Sequence, residues 1–142
     1  SNIYSYKDSF NTTFINTGSP HLIRKYKNID TIDVVKEARE LKLKYSEYTQ
    51  GLNINFCEIS GSKFKLRTYE RGVEDETLSC GTGAVASSIF LKDSGLVDSN
   101  KIEIIMKGGT LSVDIKNKET RYSEIWLTGS VNMVFKGVYN KF

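Results

Sequence analysis

The sequence predicts an α+β fold in which a mostly antiparallel, barrel-like sheet wraps around a central apolar helix. Three observations lead there. Most of the chain reads as short alternating strands separated by turn residues. One helical segment, residues 31–44, has an apolar face and a charged back. A second, Gly81–Asp93, has almost no polar face, so its surroundings must enclose it. The 142 residues read as a single domain, 1–142, large enough for a core of its own.

Residues 11–16 and 21–26 read as strands around the turn Thr17-Gly18-Ser19-Pro20. In the 31–44 helix, Val34, Val35, Ala38 and Leu41 share one face, Lys36, Arg39, Glu40 and Lys44 face water, and Asp30 or Thr31 caps the first turn. Residues 52–59 and 63–70 form a hairpin across Ser60-Gly61-Ser62. Its second strand alternates, with Phe64, Leu66 and Thr68 on one side and Lys63, Lys65 and Arg67 on the other. In the apolar helix, Ala84, Val85, Ala86, Ile89, Phe90 and Leu91 cover nearly every direction, and Gly95 stops it. Four strands complete the chain, at 101–106, 110–115, 123–128 and 132–138, with Lys107-Gly108-Gly109 turning the first pair.

The formal net charge is +3 and the basic residues are mixed with acids along the chain. No basic stripe marks a nucleic-acid face. No apolar run approaches a membrane span and no signal peptide opens the chain, where Ser1-Asn2 reads as a cut start. Two cysteines and one histidine are too few for a stapled secreted scaffold or a Cys/His zinc site, so no metal is expected. Reduced thiols in a bacterial-type cytoplasm are the simplest reading, and spacing alone leaves a Cys57–Cys80 disulfide open.

Chemistry is concentrated in ERGVEDETLSCGTGAVASS, residues 70–88. Cys80 stands where the apolar helix begins. A helix start has open N–H groups and about half a positive charge, which stabilise a thiolate and lower its pKa. The same amides hold carboxylate or phosphate. Gly81 and Gly83 let a ligand approach the backbone, and Thr82 adds a hydroxyl. The segment therefore combines a reactive thiol with an anion cradle; the plainer reading is a small buried residue before a flexible helix start.

ERGVEDETLSCGTGA closely resembles the signature around the second catalytic cysteine of diaminopimelate epimerases. Gly18-Ser19-Pro20-His21 resembles that family's Gly-Asn-Pro-His turn, and residues 51–56 its Asn-Val-x-Phe strand. Gly108-Gly109-Thr110-Leu111 resembles the family's Gly-Gly-x-Leu turn and Leu127-Thr128-Gly129 its Thr-Gly segment near the end, in family order. The resemblance implies the C-terminal half of an enzyme with two barrel-plus-helix domains facing a cleft. It implies interconversion of LL- and meso-diaminopimelate in lysine and peptidoglycan precursor synthesis, without pyridoxal phosphate, metal or other cofactor. It further implies Cys80 as acid/base, Gly81 and Thr82 as anion donors, and Glu70 on the substrate's α-amino group. Arg71 would take the distal carboxylate and Asn53 would orient that end, with His21 near the reacting centre. The expected partners are the N-terminal domain of the same chain and the small-molecule substrate, with a homodimer as a further option.

The family's first cysteine motif, Asn-Gly-x-x-Cys, is not found here. Cys57 lies mid-strand and reads as a core thiol, so the chain as given is expected to be inactive. Ser19 replaces the family's usual asparagine, which alters one substrate hydrogen bond. Glu74-Asp75 occupies a stretch where many members have a single glycine, and the added residue is expected to bulge the turn. Other readings stay open: a proline racemase-like enzyme, whose segment is Cys-Gly-His-Gly-like; a phenazine-pathway isomerase, which lacks the cysteine pair; a thiol hydrolase using Cys80 and His21; or a binding barrel.

Overall fold

A computed structural model describes residues 5–7, 12–47, 51–118 and 121–141. Ser1, Asn2 and Asn11 lie outside these. The strands are β1 (Ser5–Lys7), β2 (Thr12–Asn16), β3 (Pro20–Tyr26), β4 (Asn53–Ser60), β5 (Lys63–Glu70), β6 (Asp75–Thr77), β7 (Lys101–Met106), β8 (Gly109–Lys118) and β9 (Arg121–Gly129). The helices are α1 (Val34–Lys44) and α2 (Gly81–Asp93). One sheet runs β1-β2-β3-β4-β5-β7-β8-β9, with β6 paired to β5. The β3–β4 and β5–β7 pairs are parallel and the other pairs antiparallel.

The sheet curls because α2 has no face to leave in water. It packs against β2, β3, β4, β7, β8 and β9, and Ala84, Ala86, Ile89 and Leu91 are wholly buried. Ile15, Ile23, Cys57, Leu66, Ile104 and Val113 close around them. A second core lies on the outer side of the sheet under α1, where Val34, Ala38 and Leu41 meet Leu22, Ile54, Phe56 and Tyr69. The middle strands are therefore covered on both faces, so β4 is buried from Asn53 to Phe56 and on through Cys57 to Glu58.

The local chemistry explains the element ends. The expected start of the first helix at residue 31 moves to Val34, because Asp33 is the N-cap, its carboxylate accepting from Lys36 N–H at 3.0 Å. Asp30 instead pairs with Lys65 at 2.8 Å. Helix α2 ends as expected. Gly95 takes φ +65°, and Gly95 N–H and Leu96 N–H donate to Lys92 O and Leu91 O, both at 3.0 Å.

Two short strands, β1 and β6, were not predicted. The expected strand at 132–138 does not form. Residues 130–141 carry no secondary structure, and Val131, Met133, Val134, Phe135, Val138 and Tyr139 are exposed. Their alternation suits a strand, but a strand needs a neighbour for its ladder, and the described sheet ends at β9. No helix among the described residues is long and apolar enough to cross a membrane.

Replacing Ile89 with Ala removes a fully buried side chain from the centre of the curl. The expected loss is about 2–5 kcal/mol of unfolding free energy, read from chemical denaturation; a change within about 0.5 kcal/mol contradicts this packing.

Candidate active site

The site gathers at the end of the sheet where α2 begins. Cys80 is the N-cap, with extended backbone angles (φ −133°, ψ 105°). Ala84 N–H makes the first helical bond, to Cys80 O at 2.9 Å. The amides of Gly81, Thr82 and Gly83 are thus left free of the helix ladder, and that of Gly83 is turned to the Cys80 thiol. Gly108 N–H donates to Leu78 O at 2.7 Å and ties the approach loop to the β7–β8 turn.

The expected fall in the Cys80 pKa is reversed. Burial raises it, and the nearby Glu70 carboxylate adds to that by charge and hydrogen bonding. Thr82 Oγ1, at 3.6 Å from Sγ, and the Gly83 amide pull the other way without prevailing. The thiol is therefore held in its protonated form at neutral pH. Cys57 is buried in the core, where desolvation pushes its pKa up to about 12. Both cysteines are free.

Glu70 ends β5 and accepts from Thr77 Oγ1 at 2.8 Å. Strand β6 supplies Thr77 and is held by an Arg67–Glu76 ion pair at 2.6 Å on the outer face. Glu70 pairs with Asp75, Tyr69 with Glu76 and Thr68 with Thr77. The added residue expected to bulge at Glu74-Asp75 is thus taken up in the turn at residues 71–74, and Asp75 opens β6 in register. Its cost falls on Glu74, in the left-handed region at φ 60°. The Glu74 carboxylate is held there by Gly72 N–H, Tyr69 Oη and Lys42 Nζ at 3.2, 3.1 and 2.6 Å.

Asn53 is buried at the start of β4 and knits the neighbouring turns together. Its Nδ2 donates to Ser19 Oγ at 2.7 Å and Pro20 O at 3.2 Å, and its Oδ1 accepts from Arg71 N–H at 3.0 Å. Only Oδ1 retains capacity for a ligand. Ser19 is thereby joined to Asn53 and, through it, to Arg71.

His21 pairs with Asn53 across β3 and β4 and is almost wholly buried. Burial, then the nearby Arg71 charge, lowers its pKa to about 4. Its ring is therefore neutral at neutral pH.

Two participants were not singled out from the sequence. Asn55 and Thr68, both fully buried, connect His21 to the helix start. Asn55 Nδ2 lies 3.0 Å from His21 Nδ1, and Thr68 Oγ1 donates to Asn55 Oδ1 at 3.0 Å. A Cβ placed on Gly83 would stand 2.5 Å from Asn55 Oδ1 and 3.1 Å from Cys80 Sγ, so glycine is demanded there by space. The available signal was polarity at inward positions, Asn55 two residues before Cys57 and Thr68 two after Leu66.

Comparison with solved structures places this curled sheet and its enclosed helix in a known fold. A hydroxyproline epimerase from Agrobacterium vitis matches with a TM-score of 0.59 at 12% identity, over 86% of this chain and 40-odd per cent (43%) of that one. A phenazine biosynthesis protein of the PhzF family from Enterococcus faecalis matches with a TM-score of 0.54 at 18% identity, over 80% and 40%. At those identities the likeness is one of fold.

Sequence similarity is more particular. The family described as diaminopimelate epimerase matches residues 13–134. A diaminopimelate epimerase of Flavobacterium psychrophilum is 46% identical over 129 residues, covering 89% of this chain and 50% of the relative. One from Aquifex aeolicus is 39% identical over 126 residues, covering 87% and 44%. The chain belongs to the diaminopimelate epimerase family, and it spans about half the length of these curated relatives.

Two measurements probe the electrostatics. The alkylation rate of Cys80 should titrate with a midpoint above that of an ordinary thiol. Glu70→Gln should lower the midpoint and Thr82→Val should raise it; a wild-type midpoint below an ordinary thiol's contradicts the balance of burial over helix dipole. For His21, the unfolded ring gains a proton below its ordinary pKa of 6.5 while the folded ring stays neutral to about 4. Stability should therefore fall as pH drops through that window, by about 2–4 kcal/mol in total. His21→Gln should flatten that part of the denaturation-versus-pH curve.

Proposed function

We propose that this chain forms one half of a cofactor-independent, two-cysteine epimerase that interconverts LL- and meso-diaminopimelate, a precursor of lysine and peptidoglycan. The observation that carries the reading is Cys80, a protonated thiol at the N-cap position of an enclosed apolar helix with the Glu70 carboxylate beside it. The relatives named diaminopimelate epimerase supply the substrate.

In this reading a base from the other half removes the α-proton from one face of the substrate. Cys80 delivers a proton to the opposite face, and the roles exchange in the reverse direction. The negative charge that develops spreads into the α-carboxylate and is met by the Gly81 and Thr82 amides and the Thr82 hydroxyl. Glu70 takes the α-ammonium group. Arg71 takes the distal carboxylate, for which a guanidinium fork is well matched. Asn53 fixes the backbone that carries Arg71, and Ser19 completes that rim. His21, neutral and buried, faces the reacting centre as a hydrogen-bonding group. The enclosing half supplies the second cysteine and closes the cleft.

The test follows α-proton exchange with solvent deuterium on diaminopimelate, using this chain joined to the other half of a relative's length. Cys80→Ser should lower turnover by at least about a hundredfold. This chain alone should give none. Full turnover by the Cys80→Ser form would remove Cys80 from the mechanism, and turnover by the chain alone would remove the need for a second half.

A further inference from the structure

His21, Asn55 and Thr68 sit on adjacent strands β3, β4 and β5, and all three are buried. Their hydrogen bonds admit one consistent assignment. Asn55 Nδ2 faces the carbonyl oxygens of Leu22 at 3.2 Å and Asn53 at 3.4 Å. Those oxygens only accept, so the atom facing them is the amide nitrogen. Asn55 Oδ1, on the other side, takes the Thr68 hydroxyl. Turning the amide over would set oxygen against two oxygens. The same nitrogen, a donor only, lies 3.0 Å from His21 Nδ1. It can bond that atom only if Nδ1 has no proton. A neutral imidazole then carries its single proton on Nε2.

His21 Nε2 is itself fully buried and has no partner among the described residues. A buried N–H without an acceptor is costly. It is retained where something that binds the protein supplies the acceptor. Gly83 extends the arrangement to the thiol, since Asn55 Oδ1 and Cys80 Sγ both crowd its missing Cβ position.

We infer that Asn55 is a positioning residue that fixes the proton of His21 on Nε2, leaving the ring as a neutral donor aimed at an anionic acceptor that enters the site. Thr68 holds Asn55 in the orientation that does this. Asn55 touches no reacting atom; it acts through the imidazole. The catalytic part of the inference rests on the function proposed above, whereas the tautomer stands on the hydrogen bonds alone.

His21 is the chain's single histidine, so ¹⁵N labelling of histidine reports one ring without assignment. The expected spectrum, from about pH 5 to 8, shows Nε2 protonated and Nδ1 bare. A protonated Nδ1 in the wild-type chain overturns the inference with no variant needed. Asn55→Asp, almost the same shape, replaces the donor by an acceptor. It should move the proton to Nδ1 and raise the ring's titration midpoint. An unchanged Nε2–H pattern in that variant also overturns it. In the joined two-half enzyme, Asn55→Asp should lower kcat by about ten- to a hundredfold with KM nearly unchanged, and an undiminished kcat overturns the positioning role. If the joined wild-type enzyme does not exchange the diaminopimelate α-proton, the proposed function fails while the nitrogen pattern still decides the tautomer.

Discussion

The structure depends on the enclosure of one helix. Helix α2 has no polar stripe, so any face left in water would expose apolar surface at about 25 cal/mol per Å². The sheet answers by curling, and strands from both ends of its order reach the helix. The curl leaves the helix start at the open end of the sheet. There, backbone amides that a helix cannot satisfy by itself remain available. The core of this protein and its candidate site are thus two ends of the same element.

That placement sets two effects against each other at Cys80. The helix start and Thr82 favour a thiolate; burial and Glu70 oppose it. Burial prevails because desolvation acts on the whole charge, whereas the helix end contributes about half a charge. A thiol that keeps its proton suits an acid, and the Glu70 carboxylate beside it disfavours the thiolate further. The neighbouring imidazole is likewise held neutral, through burial and Arg71. Around the proposed reacting centre two neutral groups, the thiol and the imidazole, stand between the fixed charges of Glu70 and Arg71.

Much of this could be read in advance from particular residues. The Gly81–Asp93 helix was found with its observed bounds, because its composition leaves no alternative to burial. The Lys63–Glu70 strand declared its inner face by alternation, down to Thr68. Cys80, Gly81 and Thr82 were placed at a helix start, where the structure has them, and the order of the motifs pointed to the family. The strand expected at 132–138 was lost because alternation describes a strand's faces but not its neighbour. The 31–44 helix began late because Asp30, Thr31 and Asp33 all have capping chemistry, and an ion pair from Lys65 to Asp30 removed one of them.

By itself the sequence determined the apolar helix, the thiol at its start, the glycines that clear the approach, and the family to which they belong. These follow from residue type and local spacing. Only the tertiary structure decided that Glu70 lies against Cys80, that Asn53 is committed to Ser19 and Arg71, and that Asn55 and Thr68 stand behind His21. It also decided the sign of the Cys80 shift. Each of these depends on strands distant in the chain meeting in one register and on how much water their meeting excludes. Neither is a property of local sequence.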